Sequence, residues 1–371
     1  MLKVWVLAPS IKNEDENIDY FYDFSQSIDE YTRVFAILKI DWVWQPVNMQ
    51  TFAGVIEEIE QEKESGSHFP VVFNLCDGDE INGAPGLSVV KMLVEKELVY
   101  TGADEYFYHI TTSKIPMKHA FDAHLVPTAD WMEITAGDFN SQSIIEKLGT
   151  PLIIKPAVSG GSMGVGVKNV VDTKEALDMI ARQMFAGYRG WNLTADGMLA
   201  EKFICGPEFT TFITGSYNHP KKAIIHTPVQ RVFHPSLPPK EQFLSFDRLW
   251  EIYEEESPMP QEENFYEYQL PNAALINSIK KISWDAFAAC KGRGYTRVDL
   301  RMDEKTKEIF VLEVNAQCGL SEDENFTSIG AILRLGDKTF AQLVMEILND
   351  AFMRSAIKKQ IFVPARTKAR A

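Results

Sequence analysis

The sequence predicts an α/β protein with more than one domain, on three observations. Apolar runs typical of buried strands, LKVWVLAP and FPVVFNLCDGD, have helical patterns such as FAGVIEEIEQEKE between them. Strands that alternate with helices in this way favour a parallel sheet covered by helices. In addition, the chain of 371 residues exceeds the roughly 250 to 300 residues at which one hydrophobic core stops growing.

The first predicted unit, residues 1–110, is an N-terminal α/β domain. Its two long strands are followed by the helical pattern LSVVKMLVEKEL and the short run VYTGAD. Ligands of open α/β sheets bind beyond the carboxyl ends of the strands. The segments that follow these strands are therefore candidate binding loops.

The second predicted unit, residues 111–204, has the order helix, strand, glycine-rich loop, strand, helix, strand. The stretches that predict its helices and strands are SKIPMKHAFDAHL, PLIIKPAV, VGVKNV, TKEALDMIARQMF and GMLAEKFICG.

The third predicted unit, residues 205–371, combines strands with a long helix. The predicting stretches are EFTTFITG, KKAIIHTPV, AALINSIKKISWDAFAAC, YTRVDLRMD and EIFVLEVNA, and helices follow. A polar insertion at residues 231–272 contains the acidic run FDRLWEIYEEESPMPQEE. Loops of this length are either functional lids or segments without fixed structure, so we expect the insertion to be solvated.

Composition excludes several functional classes. The formal net charge of -15 argues against a nucleic-acid binder, which needs a surplus of Lys and Arg. No window approaches the roughly 20 apolar residues that span a bilayer. The four cysteines form no CxxC pair, so neither a zinc site nor a disulfide framework is indicated. The N-terminal apolar run is typical of a strand rather than a signal peptide, and we expect a cytoplasmic protein.

The stretch KPAVSGGSMGVG, residues 155–166, is a candidate phosphate loop. Glycines directly after a strand let backbone N–H groups approach phosphate oxygens, and Lys155 adds positive charge at the strand end. A flexible hairpin connection is the alternative. Lys114, near a predicted helix start, is either a second phosphate-binding lysine or simply exposed.

The stretch LAEKFICGPEFT is a candidate hinge for a nucleoside. Backbone groups at residues 201–204 could read an adenine edge, and Glu208 could accept hydrogen bonds from ribose hydroxyls. The alternative is an acidic edge strand whose charges prevent edge-to-edge pairing.

The strands TRVDLRMD and LEVNA bring acidic and basic groups together. Because side chains repeat every two residues along a strand, Arg297, Asp299 and Arg301 share one face, as do Glu313 and Asn315. If the two strands pair as a hairpin, these groups converge. Magnesium takes one or two carboxylates plus phosphate oxygens, and an arginine beside it stabilises developing negative charge. The alternative is a solvated hairpin face.

In this order, the four stretches resemble the ATP-grasp superfamily, and within it the D-alanine–D-alanine ligase family. The resemblance runs from about Val71 to Leu320. It implies an ATP-grasp fold with an N-terminal parallel α/β domain and with central and C-terminal domains that grip ATP between two antiparallel sheets. By this resemblance, the residues implied to bind ATP are Lys114, Lys155, Gly160, Gly161, Ser162, Glu201, Phe203, Ile204 and Glu208. Those implied to bind metal are Asp299, Glu313 and Asn315, and those implied in catalysis are Arg297, Ser162 and Gly319.

The resemblance also implies a reaction and its cofactors. ATP, with Mg²⁺ or alternatively Mn²⁺, would phosphorylate a substrate carboxylate, and an amine would then attack the acyl phosphate to form an amide. Amino acids or small peptides would be the substrates, and a homodimer is expected by analogy. The alternatives are D-alanine–D-alanine ligase of cell-wall synthesis, a non-catalytic ATP-binding protein of the same fold, and a kinase.

Departures from the family pattern lie at substrate positions. The family's Gly-Gly-x-Ser-x-Glu segment is replaced by APSIKNEDEN, in which Glu14 or Glu16 could supply the substrate-binding carboxylate. Its His-Gly pair is replaced by CDGDE, and its Ser-Leu pair falls at Glu324 and Asn325. A glutamate would repel a substrate carboxylate there. We therefore expect an amine substrate other than D-alanine, with a positive group near Asp323 or Glu324. Candidates for the family's loop tyrosine are Tyr253, Tyr266 and Tyr268.

Overall fold

The computed structural model describes residues 1–11, 23–249, 264–325 and 327–355. Within these ranges, no helix combines the length and the apolar character that a membrane span requires. Three sheets organise the described chain, and their strands lie within residues 2–100, 131–202 and 208–316. The division into domains at residues 110 and 204 stays a prediction.

The first sheet is parallel and has the strand order β2-β1-β3-β4. Its strands are β1 (Leu2–Pro9), β2 (Asp41–Val47), β3 (Phe69–Asn74) and β4 (Val99–Tyr100). The helices of this region are α1 (Ser25–Leu38), α2 (Phe52–Ser65), α3 (Leu87–Glu95) and α4 (Glu105–Thr112). The sequence did not predict β2, in which Pro46 interrupts the strand pattern. The structure tolerates this proline because β2 is an edge strand.

The second sheet is antiparallel and has the strand order β5-β8-β6-β7. Its strands are β5 (Trp131–Ile134), β6 (Leu152–Pro156), β7 (Val170–Val171) and β8 (Met198–Lys202). Helix α5 (Lys114–Ala123) precedes it, and α6 (Ser141–Leu148) and α7 (Lys174–Phe185) pack against it.

The predicted strand VGVKNV is wrong over most of its length. Val167–Asn169 form a 3-10 turn, and only the last residue of the stretch belongs to β7. The reason is the buried side chain of Asn169, which accepts a hydrogen bond from the Gly166 N–H at 2.9 Å and donates to the carbonyl groups of Ile154 and Gly164 at 2.8 and 3.0 Å. These bonds satisfy backbone groups that a strand would otherwise pair.

The third sheet is antiparallel, with the order β12-β11-β9-β13-β14 and a short strand β10 beside β9. Its strands are β9 (Glu208–Ser216), β10 (Ile224–Ile225), β11 (Val229–Phe233), β12 (Tyr266–Gln269), β13 (Arg293–Met302) and β14 (Ile309–Ala316). Its helices are α8 (Phe246–Leu249), α9 (Ala273–Ala289), α10 (Ser328–Leu335) and α11 (Phe340–Arg354). The predicted strand KKAIIHTPV is thus divided between β10 and the start of β11.

The expectation of a solvated insertion at residues 231–272 is wrong for its described part. The end of β11, helix α8 and strand β12 lie in it, and Arg231, Phe243 and Phe246 are buried. Most of the acidic run that suggested solvation lies at residues 250–263, outside the described ranges. The flanking residues instead pack against the second and third sheets.

Gln317 joins the third sheet to the carboxyl end of the first. Its buried side chain accepts a hydrogen bond from the Ala103 N–H at 2.8 Å and donates to the Asn74 carbonyl. Gly102 makes this contact possible, because a Cβ atom there would lie 1.9 Å from the Gln317 side-chain oxygen. This contact holds the third sheet against the first, and residues from all three sheets and their loops line one cavity.

Candidate active site

The cavity has a volume of about 530 Å³ and takes side chains from all three sheets or the loops that follow them. The glycine-rich loop and the residues 201–204 form one part of its wall. The loop after β14 and the start of α1 form another. Of the residues proposed from the sequence, Asn315 does not line the cavity, and those that do are Lys114, Lys155, Gly161, Ser162, Glu201, Phe203, Ile204, Glu208, Tyr266, Tyr268, Arg297, Asp299, Glu313 and Gly319.

The predicted hairpin is confirmed, and it places two carboxylates side by side. Asp299 lies opposite Glu313, and Arg297 lies opposite Asn315. The Asn315 amide nitrogen donates to Asp299 at 2.9 Å and to Glu313 at 3.1 Å. The register shifts directly after Asp299, as in a β-bulge, a feature common beside active sites.

These side chains fit a magnesium ion by their chemistry. The two carboxylates are oxygen ligands of the kind that this hard cation takes. The Asn315 amide nitrogen faces them, so a half-turn of the amide would bring its oxygen to the same point. In the described ranges, no group of three or more His, Cys, Asp and Glu side chains could hold a metal ion. A cation at Asp299 and Glu313 would therefore need further oxygen ligands, which phosphate groups supply.

Arg297 is held against Asp299. Its Nε lies 3.2 and 3.0 Å from the two carboxylate oxygens, and a terminal nitrogen lies 3.0 Å from one of them. Burial alone would lower the pKa of Arg297, but the Asp299 carboxylate raises it above its usual value, so the guanidinium stays charged. Thr210, which sequence reasoning missed, donates to Asp299 at 2.8 Å.

Lys114 and Lys155 both reach the cavity. The Lys114 ammonium lies 3.1 Å from the Ser159 carbonyl, 3.0 Å from the Ser159 hydroxyl and 3.6 Å from Glu313. Burial lowers the pKa of Lys114. The Lys155 ammonium lies 2.6 Å from the second oxygen of Glu201. The two lysines therefore have separate carboxylate partners.

The side chain of Glu201, a predicted hinge residue, is held in ion pairs with two lysines. The carboxylate is buried and contacts Lys118 and Lys155, each at 2.6 Å, and the backbone of Glu201 pairs with the neighbouring strands opposite Trp131 and Ile153. The N–H of Phe203 is already bonded to a carbonyl group, whereas the N–H of Ile204 has no backbone partner in the described part of the chain. Sequence reasoning missed Lys118, although it lies four residues after Lys114 on the same helix.

Glu208 contacts the buried Arg231. Arg231 also donates to the Tyr268 hydroxyl at 3.0 Å, and its guanidinium lies 5.2 and 5.3 Å from the ring centres of Tyr266 and Tyr268. All four side chains line the cavity. Sequence reasoning missed Arg231 because it begins the stretch that was expected to be solvated.

The glycine-rich loop turns sharply at its centre. Gly161 and Ser162 have φ angles of +55° and +61°, and the N–H of Met163 closes a turn on the Gly160 carbonyl at 3.0 Å. A residue other than glycine is uncommon in this left-handed region. Ser162 and Gly161 line the cavity, whereas Gly160 does not.

The expected substrate residues do not gather at the cavity. Asp323 and Glu324 are absent from its lining; Glu324 contacts Arg334 at 3.5 Å, and Asp323 contacts Gln26 at 3.3 Å. Glu14, Glu16 and Tyr253 lie outside the described residues.

Asp77 is a cavity residue to which the sequence assigned no role. It follows β3 in the segment CDGDE, and it lines the cavity together with Asp23. The Asp77 side chain is exposed to the cavity, but the surrounding protein displaces enough bulk water to raise its pKa to about 6. Its only hydrogen bond in the described part of the chain is to its own backbone N–H. The signal for it was its position, because ligands bind beyond the carboxyl ends of parallel strands.

Comparisons with protein families and with curated proteins find similarity to one family. Residues 121–349 match the family described as D-ala D-ala ligase C-terminus. A D-alanine–D-alanine ligase of Clostridium beijerinckii is 23% identical over 320 residues, which cover 82% of this chain and 93% of that protein. The corresponding ligase of Xanthomonas axonopodis is 27% identical over 282 residues, which cover 75% and 78% of the two chains.

Solved structures show the same fold. The crystal structure of D-alanine–D-alanine ligase from Bacillus anthracis complexed with ATP aligns with a TM-score of 0.64 at 16% identity, over 95% of this chain and 98% of that one. The ligase from Coxiella burnetii aligns with a TM-score of 0.64 at 16% identity, over 96% of both chains. The predicted α/β architecture with the ATP-grasp fold is confirmed.

Proposed function

Because the chain belongs to the D-alanine–D-alanine ligase family and so is an ATP-dependent carboxylate–amine ligase, we propose that it joins two amino acids, or an amino acid and a small peptide, through an acyl phosphate. One observation carries this proposal. Asp299 and Glu313, which the Asn315 amide bridges, lie with the Arg297 guanidinium at one cavity, beside two lysines that can bind phosphates.

The nucleotide would bind between the second and third sheets. Lys114 and Lys155 would contact its phosphates, and the loop around Gly161 and Ser162 would cover them with backbone N–H groups. The N–H of Ile204 is available to an adenine nitrogen. Glu208 would accept hydrogen bonds from ribose hydroxyls while it keeps its contact with Arg231.

Magnesium, or manganese in its place, would be held by Asp299, Glu313 and Asn315. When bound, such a cation neutralises negative charge on the phosphate groups. The proposed residues fit this role because carboxylate and amide oxygens are ligands that both cations accept.

Amide formation would proceed in two steps. An oxygen of the substrate carboxylate attacks the terminal phosphorus of ATP, the bond to ADP breaks, and an acyl phosphate forms. The amine then attacks the acyl carbon, the bond to phosphate breaks, and the amine loses a proton. Arg297, with the backbone N–H of Gly319, would stabilise the negative oxygen of the tetrahedral intermediate.

The proposal also concerns the substrates. Asp77 and Asp23 line the cavity, and ammonium groups of amino acids are the natural partners of such carboxylates. The relatives are named for D-alanine. Glu324, which stands where the family places a serine, does not line the cavity and contacts Arg334, so the case for a cationic substrate rests on Asp77 and Asp23. We propose an amine substrate other than D-alanine, with an additional cationic group. An enzyme that prefers D-alanine to lysine or ornithine would contradict this part.

The test offers pooled D- and L-amino acids and dipeptides with ATP and Mg²⁺, and records ADP, phosphate and the masses of new amides. We expect amino-acid-dependent ADP release that Arg297→Met abolishes. Arg293→Met is the matched control, because Arg293 lies on the same strand, contacts Asp104 at 3.3 Å and does not line the cavity. A phosphorylated product without an amide would favour a kinase. ATP binding without turnover by any pool would favour the non-catalytic alternative.

The homodimer and the cytoplasmic location stay predictions.

A further inference from the structure

Helix α5 directs two lysines toward the second and third sheets. Lys114 and Lys118 are one helical turn apart and therefore share a face of the helix. Lys114 reaches the cavity, but Lys118 does not line it, and the Lys118 side chain is 1% exposed. Burial lowers the pKa of Lys118. A buried lysine is rare unless it has a partner.

The partner of Lys118 is Glu201, which lies on β8. One Glu201 oxygen contacts the Lys118 ammonium at 2.6 Å, and the other contacts the Lys155 ammonium at 2.6 Å. Burial alone would raise the pKa of Glu201, but the two ammonium groups lower it below its usual value. Lys118 also donates to the Thr128 hydroxyl, which donates in turn to the Val311 carbonyl at 3.0 Å.

The charges of this network do not cancel. Lys114, Lys118 and Lys155 carry three positive charges, and Glu201 and Glu313 carry two negative ones, which leaves a net charge of +1. Without Lys118, each cavity lysine would face one carboxylate, and the network would be neutral. Charge interactions are strong in such poorly solvated surroundings.

We propose that Lys118 is a positioning residue that sets the affinity of the cavity for nucleotide phosphates, because it compensates Glu201 and so leaves Lys155 with uncompensated positive charge. Its contact with one Glu201 oxygen also fixes the other oxygen toward Lys155. The Lys155 ammonium has three N–H groups, and one of them is sufficient for Glu201. The others are available to phosphate oxygens. This inference rests on the proposed nucleotide site but not on the identity of the substrates.

The test measures the binding of ATP and of adenosine by calorimetry, without turnover. For Lys118→Met we expect ATP affinity to fall about 10- to 100-fold, as for loss of one charge-assisted interaction, and adenosine affinity to stay within about twofold. Lys118→Arg should keep most of the ATP affinity, because it keeps the charge. The double variant Lys118→Met/Glu201→Gln loses one positive and one negative charge, so its ratio of ATP to adenosine affinity should return to within about threefold of wild type.

Two results would overturn the inference. Lys118→Met could bind ATP as wild type does, or it could lose ATP and adenosine affinity equally, as expected if Lys118 only supports the position of β8. If Lys118→Met does not fold, the double variant decides, since a ratio far below wild type despite unchanged net charge refutes charge compensation. A wild-type protein that binds adenosine but neither ATP nor ADP would instead refute the proposed phosphate site.

Discussion

Replacement of Asp77 by Asn tests whether the cavity binds an ammonium group of the substrate. Asp77 lines the cavity, and its only hydrogen bond in the described part of the chain is to its own backbone. The substitution keeps the shape of the side chain and removes its charge. A hydrogen bond to a charged group contributes about 1.5–3 kcal/mol, so we expect kcat/KM for the amino-acid substrate to fall about 10- to 150-fold at pH 8.

The pKa of Asp77 also predicts how kcat/KM depends on pH. With a pKa of about 6, the Asp77 carboxyl is roughly nine tenths ionised at pH 7 and roughly one tenth ionised at pH 5. Because kcat/KM reports groups of the free enzyme, wild-type kcat/KM should fall about tenfold from high pH to pH 5. The Asp77→Asn variant should lack this acid limb.

The pH dependence of protein stability provides an independent test of the pKa of Asp77. The pKa of Asp77 in the folded protein, about 6, lies above its ordinary value of 3.8. Ionisation of Asp77 therefore lowers the free energy of unfolding as the pH rises from about 4 to about 6, and this loss persists above pH 6. Because the Asn side chain of Asp77→Asn does not ionise, the variant avoids this loss of stability and should be at least as stable as wild type at pH 8.

The assay is ADP release at subsaturating amino acid across pH 5 to 9, beside urea unfolding at pH 8. Asp41→Asn is the control, because Asp41 is exposed at the start of β2 and does not line the cavity. An Asp77→Asn enzyme with unchanged kcat/KM and an unchanged acid limb would refute the assignment.

Two further predictions concern the proposed magnesium ligand Glu313 and the Gln317 contact between the third and first sheets. Glu313→Gln should lower kcat about 10²- to 10³-fold and raise the magnesium concentration needed for half-maximal turnover. The control Glu308→Gln, at an exposed position just before β14, should change neither quantity. An unchanged magnesium titration for Glu313→Gln would contradict the proposed ligand. Gln317→Ala leaves the Ala103 N–H and the Asn74 carbonyl without their partner and should lower the free energy of unfolding in urea by about 2–4 kcal/mol. Gln142→Ala, which removes an exposed contact with Glu146, should change it by less than about 0.5 kcal/mol, and an equally small effect of Gln317→Ala would contradict the joint.

The hairpin group could be predicted from the sequence because it depends on local rules. Alternation along a strand places Arg297 and Asp299 on one face, and a short connection makes the next strand its neighbour. Asn315 and Glu313 then lie opposite them. The order of strands and helices likewise predicted the parallel sheet, since it requires only the apolar patterns.

The missed contacts depend on residues far apart in the chain. Lys118 is buried because Glu201, 83 positions later, faces it, and nothing near Lys118 in the sequence indicates this. Arg231 is buried because strand pairing sets it opposite Glu208, although the acidic run after it suggested a solvated loop. In both cases, tertiary pairing decides the burial of a charged side chain that local composition assigns to the surface.

Transfer of oxygen-18 from a carboxylate to phosphate tests the central claim most directly. The protein is incubated with ATP, Mg²⁺ and amino acids labelled with oxygen-18 in their carboxyl groups, and the released phosphate and new amides are analysed by mass spectrometry. An acyl phosphate requires that each amide formed be accompanied by one phosphate with one labelled oxygen, and that the acyl group of the amide lose one label. Unlabelled phosphate released together with an amide would contradict the account.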